Sequence, residues 1–284
     1  MPFTNRNNYI RYDAVPITTI GGVNDDVAAT GILARYDFII VKPHTTGLVL
    51  GITPVVLDDV IRGVKAINKK TKVFGYTSLG DAASMAAWKL QVDQWVLDIP
   101  TQSVLDGIFI DKFGFTDGAL ATRDNQNIAV LYVYGKLLTE APLQVAVSAS
   151  DPVDALNALT GLADPKITTG AGVDYIVLDS FYFGGALPTP EAIEHMYGRL
   201  QYATAKATPP LAAATATVAP TSKLGVLLGA SAGNGTLSIP LIDYAKIVNL
   251  AAIYPVAGLG IMPQDNGLLS HQYYYQNVAN NFNQ

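Results

Sequence analysis

Leu105-Asp-Gly-Ile-Phe-Ile-Asp111-Lys-Phe-Gly-Phe115 sets four residues, Gly107 and three large apolar side chains, between two aspartates and then breaks at Gly114. A continuous apolar run of this length is what a strand buried on both faces requires, because parallel sheets are covered on both sides. The pattern recurs as Asp174-Tyr-Ile-Val-Leu-Asp179 and as Asp37-Phe-Ile-Ile-Val-Lys42. Each run enters on an aspartate and leaves on an ionisable residue five positions later. Residues five apart on a strand point to opposite faces. The entering acid and the leaving charge therefore cannot share a site.

The chain offers eight strand candidates, these three runs among them: Val15–Gly21, Tyr36–Pro43, Lys72–Ser78, Leu105–Phe113, Leu143–Ser150, Val173–Phe181, Lys223–Ala230 and Val256–Met262. Segments of helical periodicity separate most of them, including one opening at Thr53-Pro54, then Ala82–Trp95, Thr122–Leu138, Pro190–Ala205 and Ile239–Ala252. Asp81 is a plausible cap for the second of these. Strands alternating with helices imply βα units and a parallel sheet. With eight units and no evident linker, the expected fold is α/β, a single (β/α)8 TIM barrel over residues 1–284, with an open doubly wound sheet as the alternative. Residues 203–222 form a low-complexity Ala/Thr/Pro excursion, and residues 268–284 a Tyr/Asn-rich tail.

Composition narrows the function. Of 284 residues 50% are hydrophobic and 14% charged, which supports a large core and argues against disorder. The net charge of −5, with no basic run, argues against a nucleic-acid partner. Cysteine is absent and the three histidines (His44, His195, His271) lack ligand spacing, so no metal site and no cofactor are expected. No apolar run is long enough for a membrane span, and the polar N-terminus carries no classical export signal.

In a TIM barrel the chemistry gathers at the C-terminal ends of the strands. Asp37, Asp106 and Asp174 then lie at the opposite rim and read as structural caps, whereas Lys42, Asp111 and Asp179 end even-numbered strands and converge on one mouth. Two carboxylates facing across a mouth suit glycosidic bond cleavage, at about 5–5.5 Å for retention or about 6.5–9.5 Å for inversion. The expected catalytic pair is Asp111 as nucleophile or base and Asp179 as acid/base. An ion-pair network without chemistry, with Lys42 neutralising both acids, is the competing account. His44, after Lys42, is a candidate substrate contact. Tyr182, Phe183, Phe113 and Phe115 follow the strand ends and would either stack on sugar rings or pack as loop aromatics. Trp88 and Trp95, seven apart, are expected to pack one helix face against the barrel.

Tyr36-Asp-Phe-Ile-Ile-Val-Lys-Pro43, Lys72-Val-Phe-Gly-Tyr-Thr-Ser-Leu-Gly80, Trp95 and Val104-Leu-Asp-Gly-Ile-Phe-Ile-Asp111 together resemble the endo-alpha-1,4-polygalactosaminidase and spherulin-type glycosidase barrels. The resemblance spans about residues 36–115. It implies a glycosidase barrel in which Asp111 is the catalytic carboxylate and Tyr76 contributes to substrate binding. One departure stands out: where spherulin-type members place a further acid, this chain has Lys112, and Asp117 is only a shifted counterpart of the acid found downstream in the polygalactosaminidase-like members.

Two weaker motifs compete. Gly229-Ala-Ser-Ala-Gly233 matches the G-x-S-x-G pattern, but a loop follows it where a serine elbow needs a helix. The same loop would at most cradle a phosphate after the seventh strand. Tyrosine enrichment with charge depletion marks interfaces, so the tail is expected to mediate self-association. Two functions remain. One is a glycoside hydrolase acting on a polysaccharide or other glycan. The other is an inactive glycosidase-like barrel serving as a structural or adhesive subunit of a virion appendage or filament. The missing export signal suits release by lysis or another non-classical route.

Overall fold

The computed structural model describes residues 7–12, 19–20, 23–24, 30–31, 33–41, 54–98, 105–138, 141–149, 151, 173–183, 194, 197–203, 225–231 and 258–262. Along the chain the strands are β1 (Asn7–Tyr12), β2 (Thr19–Ile20), β3 (Val23–Asn24), β4 (Phe38–Val41), β5 (Lys72–Ser78), β6 (Gly107–Asp111), β7 (Leu137–Leu138), β8 (Ala141–Pro142), β9 (Gln144–Ser148), β10 (Tyr175–Phe183), β11 (Gly225–Ser231) and β12 (Gly258–Met262). Helix α1 (Pro54–Ile67) joins β4 to β5, α2 (Met85–Asp98) joins β5 to β6, and α3 (Arg123–Tyr134) follows β6. The main sheet runs β1-β12-β11-β10-β9-β6-β5-β4, all parallel, and closes through a β1–β4 ladder. β2–β3 and β7–β8 are small antiparallel ribbons.

Seven of the eight expected strands coincide with strands of this sheet, and Lys72–Ser78 does so residue for residue. The first does not. The barrel opens with Asn7-Asn-Tyr-Ile-Arg-Tyr12, and the described part of Val15–Gly21, Thr19–Ile20, lies in the β2–β3 ribbon and not in the main sheet. Pro16 cannot donate to a ladder, so Val15–Gly21 is a poor strand for a position with a neighbour on each side. The polar residues of β1 concealed it. Asp81 is not the cap of α2: Ser84 Oγ accepts from the Ala87 N–H at 3.1 Å instead. Thr122 does cap α3, accepting from the Asn125 N–H. Residues 197–203 are helical, within the expected Pro190–Ala205 segment. Ile239–Ala252, the 204–222 part of the excursion and the tail lie outside the described residues.

Strand alternation sorts the core into two bodies. Phe38, Ile40, Phe74, Tyr76, Phe109, Ala146 and Val177 fill the barrel interior with Tyr175 against them. The alternate residues, among them Ile39, Val73, Ile108, Ile110, Val145 and Ile176, form the outer layer beneath the helices. Trp88, Val92 and Trp95 recur at helical spacing on the buried face of α2, as both tryptophans were expected to do. The Trp95 ring lies flat on Gly75, where an added Cβ would sit 2.5 Å from the indole, and its Nε1 donates to the Tyr76 carbonyl at 2.8 Å. This contact fixes α2 against the strand that carries Tyr76.

At the N-terminal rim two of the entering aspartates do what their position implies. Asp106 N–H donates to the Val73 carbonyl at 2.8 Å while its Oδ2 accepts the Val73 N–H at 2.7 Å. Asp174 repeats the clamp on Val145, at 2.8 Å both ways. Each acid thus satisfies the second N–H of the preceding strand in the sheet, which would otherwise be stranded at the edge. Burial raises the Asp174 carboxyl above the ordinary carboxylate value, against the opposing pull of the Val145 N–H and Lys72. A carboxyl raised by folding binds its proton more tightly in the native chain. Its ionisation therefore detracts from stability as pH rises through the native value. Asparagine keeps an acceptor for Val145 without the charge. Asp174→Asn is expected to match or exceed the wild type in denaturant resistance near about pH 7 and to lose that advantage near about pH 3. Asp174→Ala, which strands the N–H, should lose about 1–3 kcal/mol. Denaturant titrations at both pH values check this.

Candidate functional site

β5 and β6 set the site. Their register pairs Tyr76 with Phe109 and Ser78 with Asp111. Phe109 faces the interior, so Asp111, one pleat later, carries its carboxylate on the same interior face at the C-terminal end of the strand. Asp111 is only 8% exposed. Tyr76 Oη donates to its Oδ2 at 2.6 Å, and the Lys112 backbone N–H donates to its Oδ1 at 2.9 Å. Both oxygens are held, the first by a buried phenol, the second by the turn that ends the strand. Leu79 N–H donates to the Asp111 carbonyl at 3.0 Å and ties the β5 loop to the same residue.

Sequence reasoning missed Ser78 and Asp81. Asp81 leaves the strand end, accepts from Ser78 Oγ at 2.8 Å on Oδ2, and pairs with Lys112 Nζ at 2.5 Å on Oδ1. Its hydrogen bond to Asp81 leads the causes that raise the Lys112 ammonium above its usual value; burial opposes, and the charges of Asp81, Asp111 and Asp117 add to the rise. The polar run Thr77-Ser78 and the acid of Gly80-Asp81, placed just past a strand, were the available signal. Asp117 turns back on its own loop and accepts the Gly114 N–H at 2.8 Å.

The other expected residues fare differently. Asp179 lies in β10, separated from β6 by β9. Val177 pairs with Ser148, and Ile110 with Val147, so Asp179 lies toward the same C-terminal edge as Asp111. The β10–β11 ladder shifts register between Leu178 and Tyr182, where β10 advances by four residues and β11, from Leu228 to Ala230, by two. Bulges of this kind re-aim side chains near functional sites. The side chains of Asp179, Tyr182 and Phe183 lie outside the described residues, as do Lys42 and His44 entirely. Phe113 is core, wholly buried, while Phe115 is 38% exposed on the loop. Among the described residues there is no cluster of histidine and acidic side chains able to hold a metal ion, and no helix long and apolar enough to cross a membrane.

No protein-family model matches the chain, and a search of curated proteins finds no match, so the polygalactosaminidase and spherulin-type resemblance gains no sequence-level support. The chain is similar in structure to a chitinase from Chromobacterium violaceum ATCC 12472, with 13% identity and a TM-score of 0.51 over 95% of this chain and 98% of that one. It is also similar to the xylanase and alpha-amylase inhibitor protein XAIP-II from Scadoxus multiflorus, with 12% identity and a TM-score of 0.57 over 97% and 98%. At such identities the likeness is one of fold, that of TIM barrels. One of these proteins is an enzyme and the other an inhibitor, so the shared fold does not by itself assign an activity.

Proposed function

We propose that the chain is a complete (β/α)8 TIM barrel directed at a polysaccharide, and that it cleaves glycosidic bonds with Asp111 as nucleophile or base. The observation that carries this reading is the Asp111 carboxylate: interior-facing, at the C-terminal end of a barrel strand, nearly buried, and hydrogen-bonded on both oxygens. Donors on both oxygens fix the direction of the carboxylate. An oriented carboxylate is what attack on a sugar carbon, or on a water beside it, requires. In this reading Asp179 supplies the proton to the departing oxygen, and its separation from Asp111 sets retention or inversion. Tyr76, Lys42, His44 and Tyr182 would contact substrate at the same mouth, with no metal and no cofactor. The chitinase of the same fold supports a polysaccharide as substrate class. The resemblance over residues 36–115 favours a galactosaminoglycan-type polymer.

A second reading has its own observation. Lys112 stands where spherulin-type barrels carry an acid, and it engages Asp81 beside Asp111. With the acid set so altered, the barrel would bind glycan without cutting it and serve as a structural or adhesive subunit of a virion appendage or filament. The inhibitor protein of the same fold supports a role without hydrolysis.

Incubation with a purified alpha-1,4-galactosaminoglycan and with chitin separates the readings. Shortened polymer in size-exclusion chromatography supports the first, and co-elution with uncut polymer the second. Intact polymer that does not co-elute overturns both. Self-association through the tail is tested by removing residues 272–284. The second reading expects higher oligomers of the full chain to become monomers in sedimentation velocity, and a monomer before and after rejects it.

A further inference from the structure

Among the described residues Lys112 is the one non-glycine residue with a positive φ, at 51°. A Cβ makes this left-handed conformation unfavourable, whereas glycine adopts it freely. The turn after Asp111 therefore has a residue that its backbone does not favour. What the lysine side chain does is visible. Its Nζ lies 2.5 Å from Asp81 Oδ1, and Asp81 Oδ2 accepts from Ser78 Oγ at 2.8 Å. Ser78 is in turn the residue paired with Asp111 across β5 and β6. The same lysine's N–H reaches back 2.9 Å to Asp111 Oδ1. The contacts thus run in a ring: Asp111, Lys112, Asp81, Ser78 and back through the strand register. Glycines let the two loops meet beside it. A Cβ on Gly80 would lie 2.8 Å from the Lys112 Cβ and 2.6 Å from the Asp117 carbonyl, and one on Gly118 2.5 Å from the Gly80 Cα.

We propose that Lys112 is a positioning residue: its ammonium, latched to Asp81, holds the β5 and β6 loop ends together so that the left-handed turn keeps its N–H on Asp111 Oδ1 and presents Oδ2 to Tyr76. The proposal deepens the hydrolase reading and rests on it. It also explains why a lysine occupies a place where an acid would be expected. The side chain orients the carboxylate already present and does not supply a second one. Because the latch acts on the reacting group and not on distant sugar contacts, its loss should appear in kcat with KM little changed.

The test compares Lys112→Gly, Lys112→Arg and Asp81→Asn in polymer hydrolysis and thermal unfolding. Glycine relieves the left-handed turn, so Lys112→Gly should unfold at the wild-type temperature or above it. Its kcat should nonetheless fall about tenfold or more, as misplacement of a reacting group does. Asp81→Asn should fall likewise, and Lys112→Arg, which keeps the cation, should recover most of the rate. Wild-type kcat in both Lys112→Gly and Asp81→Asn overturns the latch and leaves Asp111 as the hydrolytic residue. A wild type that leaves every polymer intact overturns the hydrolase reading instead. The latch is then read without turnover, from the Asp111 carboxyl 13C resonance, assigned by its disappearance in Asp111→Asn. Asp81→Asn, two links away, should displace that resonance at neutral pH, and an unmoved resonance overturns the latch.

Discussion

Asp111→Asn is expected to lower polymer hydrolysis by about 10²–10⁴-fold or more while leaving the barrel folded. Asparagine has the shape of aspartate but neither its charge nor its nucleophilic oxygen. Its carbonyl oxygen can still accept the Tyr76 hydroxyl that now lies 2.6 Å from Oδ2. Its amide nitrogen, however, then faces the Lys112 N–H, a donor against a donor where an acceptor stood at 2.9 Å. That mismatch should lower the unfolding temperature slightly through one lost hydrogen bond, about 0.5–1.5 kcal/mol. The two effects are read separately, turnover by release of reducing ends and folding by circular dichroism. A variant that turns over at the wild-type rate removes Asp111 from the chemistry. A variant that fails to fold is replaced by Asp111→Glu, whose longer arm keeps the charge but moves the carboxylate out of reach of its two donors, and which should also lose most of the rate.

How much of this arrangement the sequence disclosed depends on the range of the interaction. β5 and β6 were legible because their Val, Ile and Phe runs are bounded by Gly, Asp and Ser, and such punctuation is local. Asp111 followed from strand polarity alone. β1 was not legible. Asn7, Asn8 and Arg11 share it with Tyr9, Ile10 and Tyr12, and only its ladders to β12 and β4 make it a barrel strand. Ser78 and Asp81 were missed for a related reason. Their bearing on Asp111 comes from the register between two strands, which neither strand encodes by itself. Asp81 near a helix start looks like a cap, and Ser84 does that work instead. Lys112 was noticed as a departure, but nothing in its chemistry announces a left-handed backbone, which local pattern assigns to glycine or asparagine.

A close approach at Gly107 holds the site's strands in that register. Gly107 opens β6 on the interior parity shared with Phe109 and Asp111. An added Cβ there would lie 2.3 Å from the Gln144 carbonyl of β9 and 2.4 Å from the Phe74 ring of β5. The glycine therefore leaves space that the Phe74 ring occupies, and Phe74 stacks in turn on Phe38 with ring centroids 4.3 Å apart. Ala at this position must push a ladder carbonyl or a close-packed ring, and interiors at this density yield little. Gly107→Ala is expected to destabilise the fold by about 1–3 kcal/mol, occasionally more, despite the entropy that alanine removes from the unfolded chain. The two obstacles separate in a double-mutant cycle. Phe74→Leu should recover only part of the loss, because it clears the ring and not the backbone oxygen. Full recovery would mean that the ring alone opposes the methyl group. No loss at all in Gly107→Ala would mean that β6 and β9 move apart freely, in which case the β5–β6–β9 register cannot be what places Asp111.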